Sequence, residues 1–184
     1  MRTASVRKVR DDASMTERQD LLEALTVHRG FLLQTASGLT DEQARLTPTA
    51  SELSVGGLIK HVASTEEGWA RFMAGEGMGD DGIDWSDPDT DAVAAYRDGF
   101  RLLPDETLAE ALAEYERVAA ATDALVVTLP DLDAAFPLPQ APWFPPGATR
   151  SVRRSVLHII AETAQHAGHA DIIRESIDGA KTMG

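Results

Sequence analysis

The stretch "LHIIAETAQHAGHADIIRE", residues 157–175, carries three of the chain's five histidines in one helical segment. At ~100° per residue, the side chains of His158, Glu162, His166 and His169 fall on one narrow stripe of the helix. Apolar residues lie immediately beside that stripe, so we expect it at the edge of the buried face and not in open solvent. The segment is therefore interpreted in one of two ways: as an ordinary helix with a stripe of polar residues, or as a helix that supplies part of the ligand set of a metal site.

The same helical periodicity continues through the rest of the chain. We expect four long amphipathic helices, at 16–38, 55–74, 105–128 and 150–177. A capping box in "TDEQ" (40–43) predicts a short helical turn, and a modest helix is expected at 90–103. No strand pair, internal repeat or domain linker is apparent. The predicted fold class is all-α: a four-helix bundle with a short extra helix.

Two connections between these helices are expected to be irregular. Residues 75–90 are rich in glycine and aspartate, which predicts an exposed loop. Residues 130–150 hold six of the nine prolines, which predicts a proline-rich loop before the last helix. These connections are too long for simple hairpins, so at least one crossover connection is expected.

The composition predicts a single globular domain. The chain has 184 residues, 43% of them hydrophobic, and the lack of cysteine excludes disulfides and thiolate metal sites. Residues 1–15 are interpreted as a disordered tail without the apolar stretch of a secretory signal, and 16–180 as the bundle domain. No apolar run approaches the ~20 residues of a membrane span, so no membrane partner is expected and a cytoplasmic location is the default. The net charge of −13 argues against nucleic-acid binding.

A histidine of the second long helix lies among large apolar residues. His61 shares a face with Trp69 and Phe72, and we expect that face to look into the bundle. Glu162 and His166 are four residues apart, the separation from which two side chains can hold one ion. Two imidazoles and one carboxylate suit Zn²⁺, Ni²⁺ or Fe²⁺ and leave a coordination position open. The alternative needs no metal. In it, His61 is a histidine packed in the core, and Glu162 and His166 are an ordinary pair of polar residues one turn apart on a helix.

The remaining histidines have weaker links to such a site. His169 lies one turn beyond His166, where it can bind the metal or hydrogen-bond to a ligand, and we favour the second role. His28 of the first helix is interpreted as a core histidine, with an approach to the metal site as the alternative. His158 is ~12 Å from His166 along the helix axis, too far to share an ion with it.

Three residues near the start of the last helix are candidates for binding a cosubstrate. Arg150 and Arg154 belong to a short basic run, "RSVRR", in an otherwise acidic chain, and they can anchor an anionic group. A solvated helix start is the alternative that we favour for both arginines. Trp143 belongs to the proline-rich loop, where it can wall a pocket or cap the bundle.

The final helix also resembles a known family. The run "ETAQHAGHADIIRE", preceded by "SVRRSVLHII" and paired with "GGLIKHVASTEEGW", is similar to the DinB-like superfamily, and the resemblance covers residues 16–179. It implies a four-helix bundle in which three side chains hold a divalent metal, one from the second helix and two from the fourth. On this chain they are His61, Glu162 and His166. Many relatives have histidine in place of Glu162, whereas thiol-dependent maleylpyruvate isomerases look similar in having glutamate there.

The resemblance also implies a type of chemistry. Characterised members use low-molecular-weight thiols such as mycothiol or bacillithiol in isomerase and S-transferase reactions. We therefore expect a metal-dependent enzyme that uses a mycothiol-like thiol as cosubstrate and a small electrophile as substrate. A metal-dependent hydrolase and a non-catalytic, metal-stabilised bundle that binds a small molecule are the alternatives. A homodimer is compatible with the apolar loops, although no sequence feature establishes it.

Overall fold

The computed structural model describes residues 16–78, 86–87 and 89–182. Within them the chain forms α1 (Glu17–Ala36), α2 (Asp41–Ala44), α3 (Val55–Met73), α4 (Asp91–Asp98), α5 (Leu108–Thr128), β1 (Ala135–Pro137), β2 (Thr149–Ser151) and α6 (Val152–Asp178). This confirms the predicted all-α bundle. The tail predicted at 1–15, and residues 79–85 and 88 of the predicted exposed loop, lie outside the described residues. Of the helices described, none has the length and apolar content to cross a bilayer.

Hydroxyl side chains define where the described helices begin. Each helix follows a serine or threonine whose side-chain oxygen accepts a hydrogen bond from a backbone N–H of the first turn. The capping box predicted at 40–43 is present between Thr40 and Gln43. At the other end of the chain, α6 stops at Gly179, whose φ of 78° closes the helix in the left-handed conformation.

The connection before α6 differs from the prediction. β1 and β2 pair antiparallel, with Phe136 opposite Arg150, whereas the sequence predicts no strand pair. Three residues per strand are too few to show the alternation by which strands are recognised. The connection between the strands, residues 138–148, is also longer than the two to five residues of a typical hairpin loop, so no turn motif marks the pair. The last helix therefore begins at Val152, capped by Ser151, and not at 150.

Two other helices are shorter than predicted. The helix expected at 90–103 ends at Asp98, before Gly99. The helix expected from 105 begins at Leu108, because Thr107 caps it and its hydroxyl accepts a hydrogen bond from the backbone of the first turn.

The long helices pack around two hydrophobic clusters. α6 lies between α1 and α3, and α5 packs on another side of α3. The upper cluster includes Leu32, Leu58, Tyr115 and Ala170. The lower cluster includes Leu25, Trp69, Val126 and Ile159. α1 and α6 run from the lower to the upper cluster and α3 and α5 run the opposite way, so α3 and α6 are antiparallel neighbours.

A layer of buried polar side chains separates the two clusters. Each long helix contributes one residue between its lower-cluster and upper-cluster positions, namely Arg29, Glu66, Thr122 and Thr163, all 5% exposed or less. The Arg29 guanidinium forms an ion pair with Glu66 and donates a hydrogen bond to Asp123 Oδ1 at 2.7 Å. This polar layer thus links α1, α3 and α5 through one arginine.

A glycine near the start of α3 lets the segment after α4 lie against that helix. A Cβ on Gly57 would stand 2.0 Å from the carbonyl oxygen of Phe100, so only glycine fits this approach. Lys60 holds the same segment from one turn further along α3. Its Nζ donates to the Arg101 carbonyl oxygen at 2.9 Å and pairs with Glu106 Oε2 at 2.6 Å.

Gly57→Ala is expected to destabilise the protein, whereas Gly30→Ala is expected to stabilise it. The methyl group on residue 57 would push a backbone oxygen away, at a cost of about 1–3 kcal/mol. Gly30 lies within α1 with no atom within 4 Å of its Cβ position, so alanine gains about 0.5–1 kcal/mol of helix propensity. Urea unfolding of both variants measures the two changes. If Gly57→Ala and Gly30→Ala changed the free energy of unfolding by the same amount, the close approach of α3 and the segment after α4 would be contradicted.

Glu66→Gln is expected to cost about 3–5 kcal/mol of stability, because it leaves a buried guanidinium without its main counter-charge. Glu67→Gln is the matched control on the next residue of α3. Glu67 pairs with Arg117 in solvent, and losing such a pair costs about 1 kcal/mol or less. Thermal unfolding compares the two variants. Equal melting temperatures would show that Asp123 alone compensates the charge of Arg29.

Candidate functional site

Three side chains from α3 and α6 converge on one point. His61, Glu162 and His166 each offer a ligand atom, and these atoms lie within 4.8 Å of one another. The rings of His61 and His166 meet edge to face with centroids 4.8 Å apart, and His166 Nε2 lies 3.4 Å from Glu162 Oε2. In the part of the chain that the structure describes, no other group of three or more histidine and carboxylate side chains is this close. We call these residues the triad.

The helices explain why the triad forms. Glu162 and His166 are one turn apart on α6, so their side chains rise from the same face. His61 reaches them from α3, the antiparallel neighbour of α6. The sequence analysis proposed these three residues together, and the structure brings them together.

The protonation states of the triad suit metal binding. Burial, assisted by His166 and opposed by Glu162, lowers the pKa of His61 to about 4, so its imidazole is neutral at neutral pH. The hydrogen bond from His166 lowers the pKa of the Glu162 carboxyl against the effect of burial, with smaller contributions from His158 and His61. A neutral imidazole with a free lone pair and an ionised carboxylate are the forms that bind a divalent ion.

The other histidines lie outside the triad. His169 Nδ1 is 3.4 Å from His166 Nδ1, on the side of the ring that faces away from Glu162. With a metal at Nε2 in place of the proton that hydrogen-bonds to Glu162, an Nδ1–H on His166 would donate to His169 and orient the ring. His158 Nε2 is 3.6 Å from Glu162 Oε1, so the carboxylate lies between two imidazoles of its own helix. His28 is half-buried on α1 and does not join them.

Phe100 is a site residue that the sequence analysis missed. Its ring stacks on His61, with centroids 4.1 Å apart and an interplanar angle of 21°. The contact depends on the close approach at Gly57, which brings the segment after α4 onto α3. Helical periodicity cannot reveal such a contact, because Phe100 lies outside a helix. Gly57 was the one sign of this contact in the sequence, because a glycine within a helix permits another backbone to approach closely.

A cavity of about 550 Å³ opens beside the triad. His61 and Glu162 form part of its wall, and the aromatic side chains of Trp69, Trp143 and Phe144 form another part. A space of this size whose wall combines aromatic rings with polar groups can hold and orient a small molecule. A ligand in this cavity can therefore touch two members of the triad.

Of the three residues predicted to bind a cosubstrate, only Trp143 is among the described residues that line this cavity. Trp143 lines it and contacts Phe144 with ring centroids 6.1 Å apart. The Arg150 guanidinium lies over Trp69, 4.3 Å from the ring centroid, with its Nη1 fully covered. A solvated helix start, favoured from the sequence for both arginines, fits the exposed Arg154 better than Arg150, which is half-buried against the Trp69 ring.

Comparisons with known proteins agree on the architecture. A solved structure described as a conserved protein of a locus from Enterococcus faecalis superposes with a TM-score of 0.64 at 16% identity, covering 91% of this chain and 100% of that one. This likeness shows the fold alone. No curated protein sequence matches the chain. Residues 20–179 match the mycothiol-S-transferase family, a DinB-like family, over most of the chain. The protein therefore belongs to the mycothiol-S-transferase family.

Proposed function

We propose that the protein is a metal-dependent enzyme that uses mycothiol or a similar small thiol in S-transfer to, or isomerisation of, small electrophiles. In this proposal His61, Glu162 and His166 hold one Zn²⁺, Ni²⁺ or Fe²⁺ ion. The observation that carries it is the convergence of three donor atoms within 4.8 Å beside an aromatic cavity. Membership of a family of mycothiol transferases supports the choice of cosubstrate.

The triad fits a catalytic metal better than a structural one. Structural zinc sites are closed by four protein ligands, whereas catalytic sites have three and keep a position for substrate. The triad supplies three donors, and two of its residues line the cavity. The single negative charge of Glu162 offsets half of the charge of a divalent ion. The half-buried Glu162 carboxylate pairs with no lysine or arginine among the described residues, so a bound cation would supply its counter-charge.

The composition of the chain and the walls of the cavity indicate where the nucleophile of the proposed reaction comes from and how the substrate is surrounded. A bound divalent ion lowers the pKa of a thiol that reaches the open position and so stabilises the thiolate. Because the chain has no cysteine, the nucleophilic sulfur has to come from the cosubstrate. Phe100 stacks on His61 and restrains the plane of its ring, and Trp69 and Phe144 give the cavity an apolar side. Apolar walls that displace water around a bound substrate would favour attack by the thiol over hydrolysis of the electrophile.

The protein purified without an affinity tag is expected to bind about one equivalent of Zn²⁺, Ni²⁺ or Fe²⁺, and His61→Ala and His166→Ala are each expected to lose it. Two ligands rarely hold a divalent ion where three did. His28→Ala, outside the triad, serves as the control that keeps the metal. Elemental mass spectrometry gives the stoichiometry, and thermal unfolding with added metal reports binding through stabilisation. A wild-type protein that neither contains these metals nor gains stability from them would exclude the metal site.

The metal-loaded protein is expected to accelerate conjugation of mycothiol to 1-chloro-2,4-dinitrobenzene, and Glu162→Gln is expected to slow it on the order of 10²-fold or more. Mass spectrometry of the conjugate, with His28→Ala as control, measures the effect. Turnover of an ester without any thiol would favour the hydrolase alternative. Metal-dependent stability without turnover by thiol or water would favour the non-catalytic bundle.

A further inference from the structure

Half of the chain's aromatic residues line the cavity beside the triad. The chain has three tryptophans, two tyrosines and five phenylalanines. Five of these ten residues belong to the cavity wall, namely Trp69, Tyr96, Phe100, Trp143 and Phe144. They come from α3, from α4 and the segment after it, and from the connection between β1 and β2. Because four of the five lie outside the long helices, packing of the bundle does not account for their concentration at one place.

Two of these aromatic side chains are exposed. Tyr96 is 42% exposed and Trp143 is 51% exposed, whereas the other aromatic side chains that the structure describes are buried or half-buried. Tyrosine and tryptophan rings gain free energy when a partner covers them, and a concentration of exposed apolar surface marks a binding surface. Both exposed rings belong to the wall of the same cavity. This wall therefore offers aromatic surface that a ligand can cover.

The exposed rings extend two groups of edge-to-face contacts. Tyr96 contacts Phe100 with ring centroids 5.5 Å apart and an interplanar angle of 70°. Trp143 contacts Phe144 at 6.1 Å and 70°, and Phe144 contacts Trp69 at 6.3 Å and 76°. Rings that are nearly perpendicular present both faces and edges, to which a further aromatic ring can add by offset stacking or by an edge contact. A saturated group of the same size gains burial alone.

Both groups of rings are close to the triad. Phe100 stacks on His61 at one end of the cavity wall. At the other end His158 contacts the Trp69 ring with centroids 5.0 Å apart, and its Nε2 lies 3.6 Å from Glu162 Oε1. His61 and Trp69 are both on α3, about 12 Å apart along the helix axis. A molecule with a ring and a short chain can therefore touch the aromatic wall and the triad at the same time.

We propose that Tyr96 and Trp143 form a ring subsite, which selects electrophiles that carry an aromatic ring a few bonds from the reacting carbon. The ring covers the two exposed side chains, and the reacting carbon lies toward the triad. The polar part of the wall, with Ser64, Glu67 and Arg71 on α3, suits the hydroxyl groups of a sugar thiol such as mycothiol, which leaves the aromatic part to the electrophile. The inference rests on the proposed function and adds a substrate class to it.

The test compares two electrophiles with the same reacting group, N-benzyl-2-bromoacetamide and N-(cyclohexylmethyl)-2-bromoacetamide. In both, the thiolate sulfur forms a bond to the bromine-bearing carbon, the carbon–bromine bond breaks, bromide leaves with the electron pair, and the thiol proton goes to buffer. The cyclohexyl compound is the more hydrophobic, so a wall that is merely apolar favours it. The metal-loaded protein with mycothiol is expected to show a KM for the benzyl compound about 3- to 10-fold below that for the cyclohexyl compound.

Leucine variants remove the rings and keep an apolar side chain. Trp143→Leu and Tyr96→Leu are each expected to raise the benzyl KM about 3- to 10-fold and to leave the cyclohexyl KM almost unchanged. Tyr96→Phe keeps the ring and is expected to keep the preference for the benzyl compound. Phe31→Leu is the matched control, because Phe31 contacts His28 on α1 and is not part of the cavity wall. It is expected to change neither KM.

Binding is measured separately from turnover. Saturation-transfer NMR with the unreactive N-benzylacetamide and N-(cyclohexylmethyl)acetamide compares the two side groups on the metal-loaded protein. The wild-type protein is expected to bind the benzyl compound more tightly, and Trp143→Leu is expected to lose that difference. Equal binding of the two acetamides by the wild-type protein, or binding of neither, overturns the proposal.

The outcomes distinguish failure of the ring subsite from failure of the proposed function. Thiol-dependent turnover with no preference for the benzyl compound overturns the subsite and leaves the function standing. Trp143-dependent binding of N-benzylacetamide without turnover of either electrophile supports the subsite and overturns the function. Equal increases of both KM values in the leucine variants assign Tyr96 and Trp143 to a merely apolar wall and overturn the proposal. A KM that rises for mycothiol and for neither electrophile assigns the rings to the thiol and overturns it as well.

Discussion

Each long helix of the bundle places a polar side chain in the layer between the two clusters, and the ion pair between Arg29 and Glu66 is the interaction that constrains the others. A buried charge is tolerated only when its partner is in reach, so α1 and α3 must align where these two residues face each other. His61 precedes Glu66 on a helix that runs toward the lower cluster, and His166 follows Thr163 on a helix that runs toward the upper cluster. Both histidines therefore lie on the upper-cluster side of the polar layer, where α3 and α6 meet. The alignment that pairs the charges also brings the triad together.

Glu162 connects the triad to the rest of the cavity. One carboxylate oxygen faces His166 and the other faces His158, so a single charge contacts one imidazole of the triad and another imidazole that lines the cavity. His169 Nδ1 contacts His166 Nδ1, on the side of the His166 ring that faces away from Glu162. The three histidines of α6 therefore neither form an exposed polar stripe nor have equivalent roles. Its members have separate positions around one carboxylate, because residues four apart on a helix face the same way at successive heights.

The sequence predicted the parts of the structure that depend on local periodicity. Four amphipathic helices, the capping box at 40–43 and the shared stripe of Glu162 and His166 all follow from 3.6-residue spacing. Arg29 and Glu66 were missed, although each interrupts an apolar stripe at helical spacing, because a charged residue on such a stripe is usually assigned to its edge. The β1–β2 pair and the Phe100 stack were missed for a different reason. Both join segments that are separated by more residues than a turn motif spans, and no local pattern encodes such contacts.

The helices and the connections contribute different properties to the cavity. The triad belongs to α3 and α6, whose positions are fixed by two hydrophobic clusters and the polar layer. Phe100, Trp143, Phe144 and Arg150 all come from segments outside the helices. Substitutions in those segments can change the shape of the cavity without moving the triad, since loops tolerate change better than packed helices. The triad of such a bundle can therefore stay constant while its connections change what fits into the cavity.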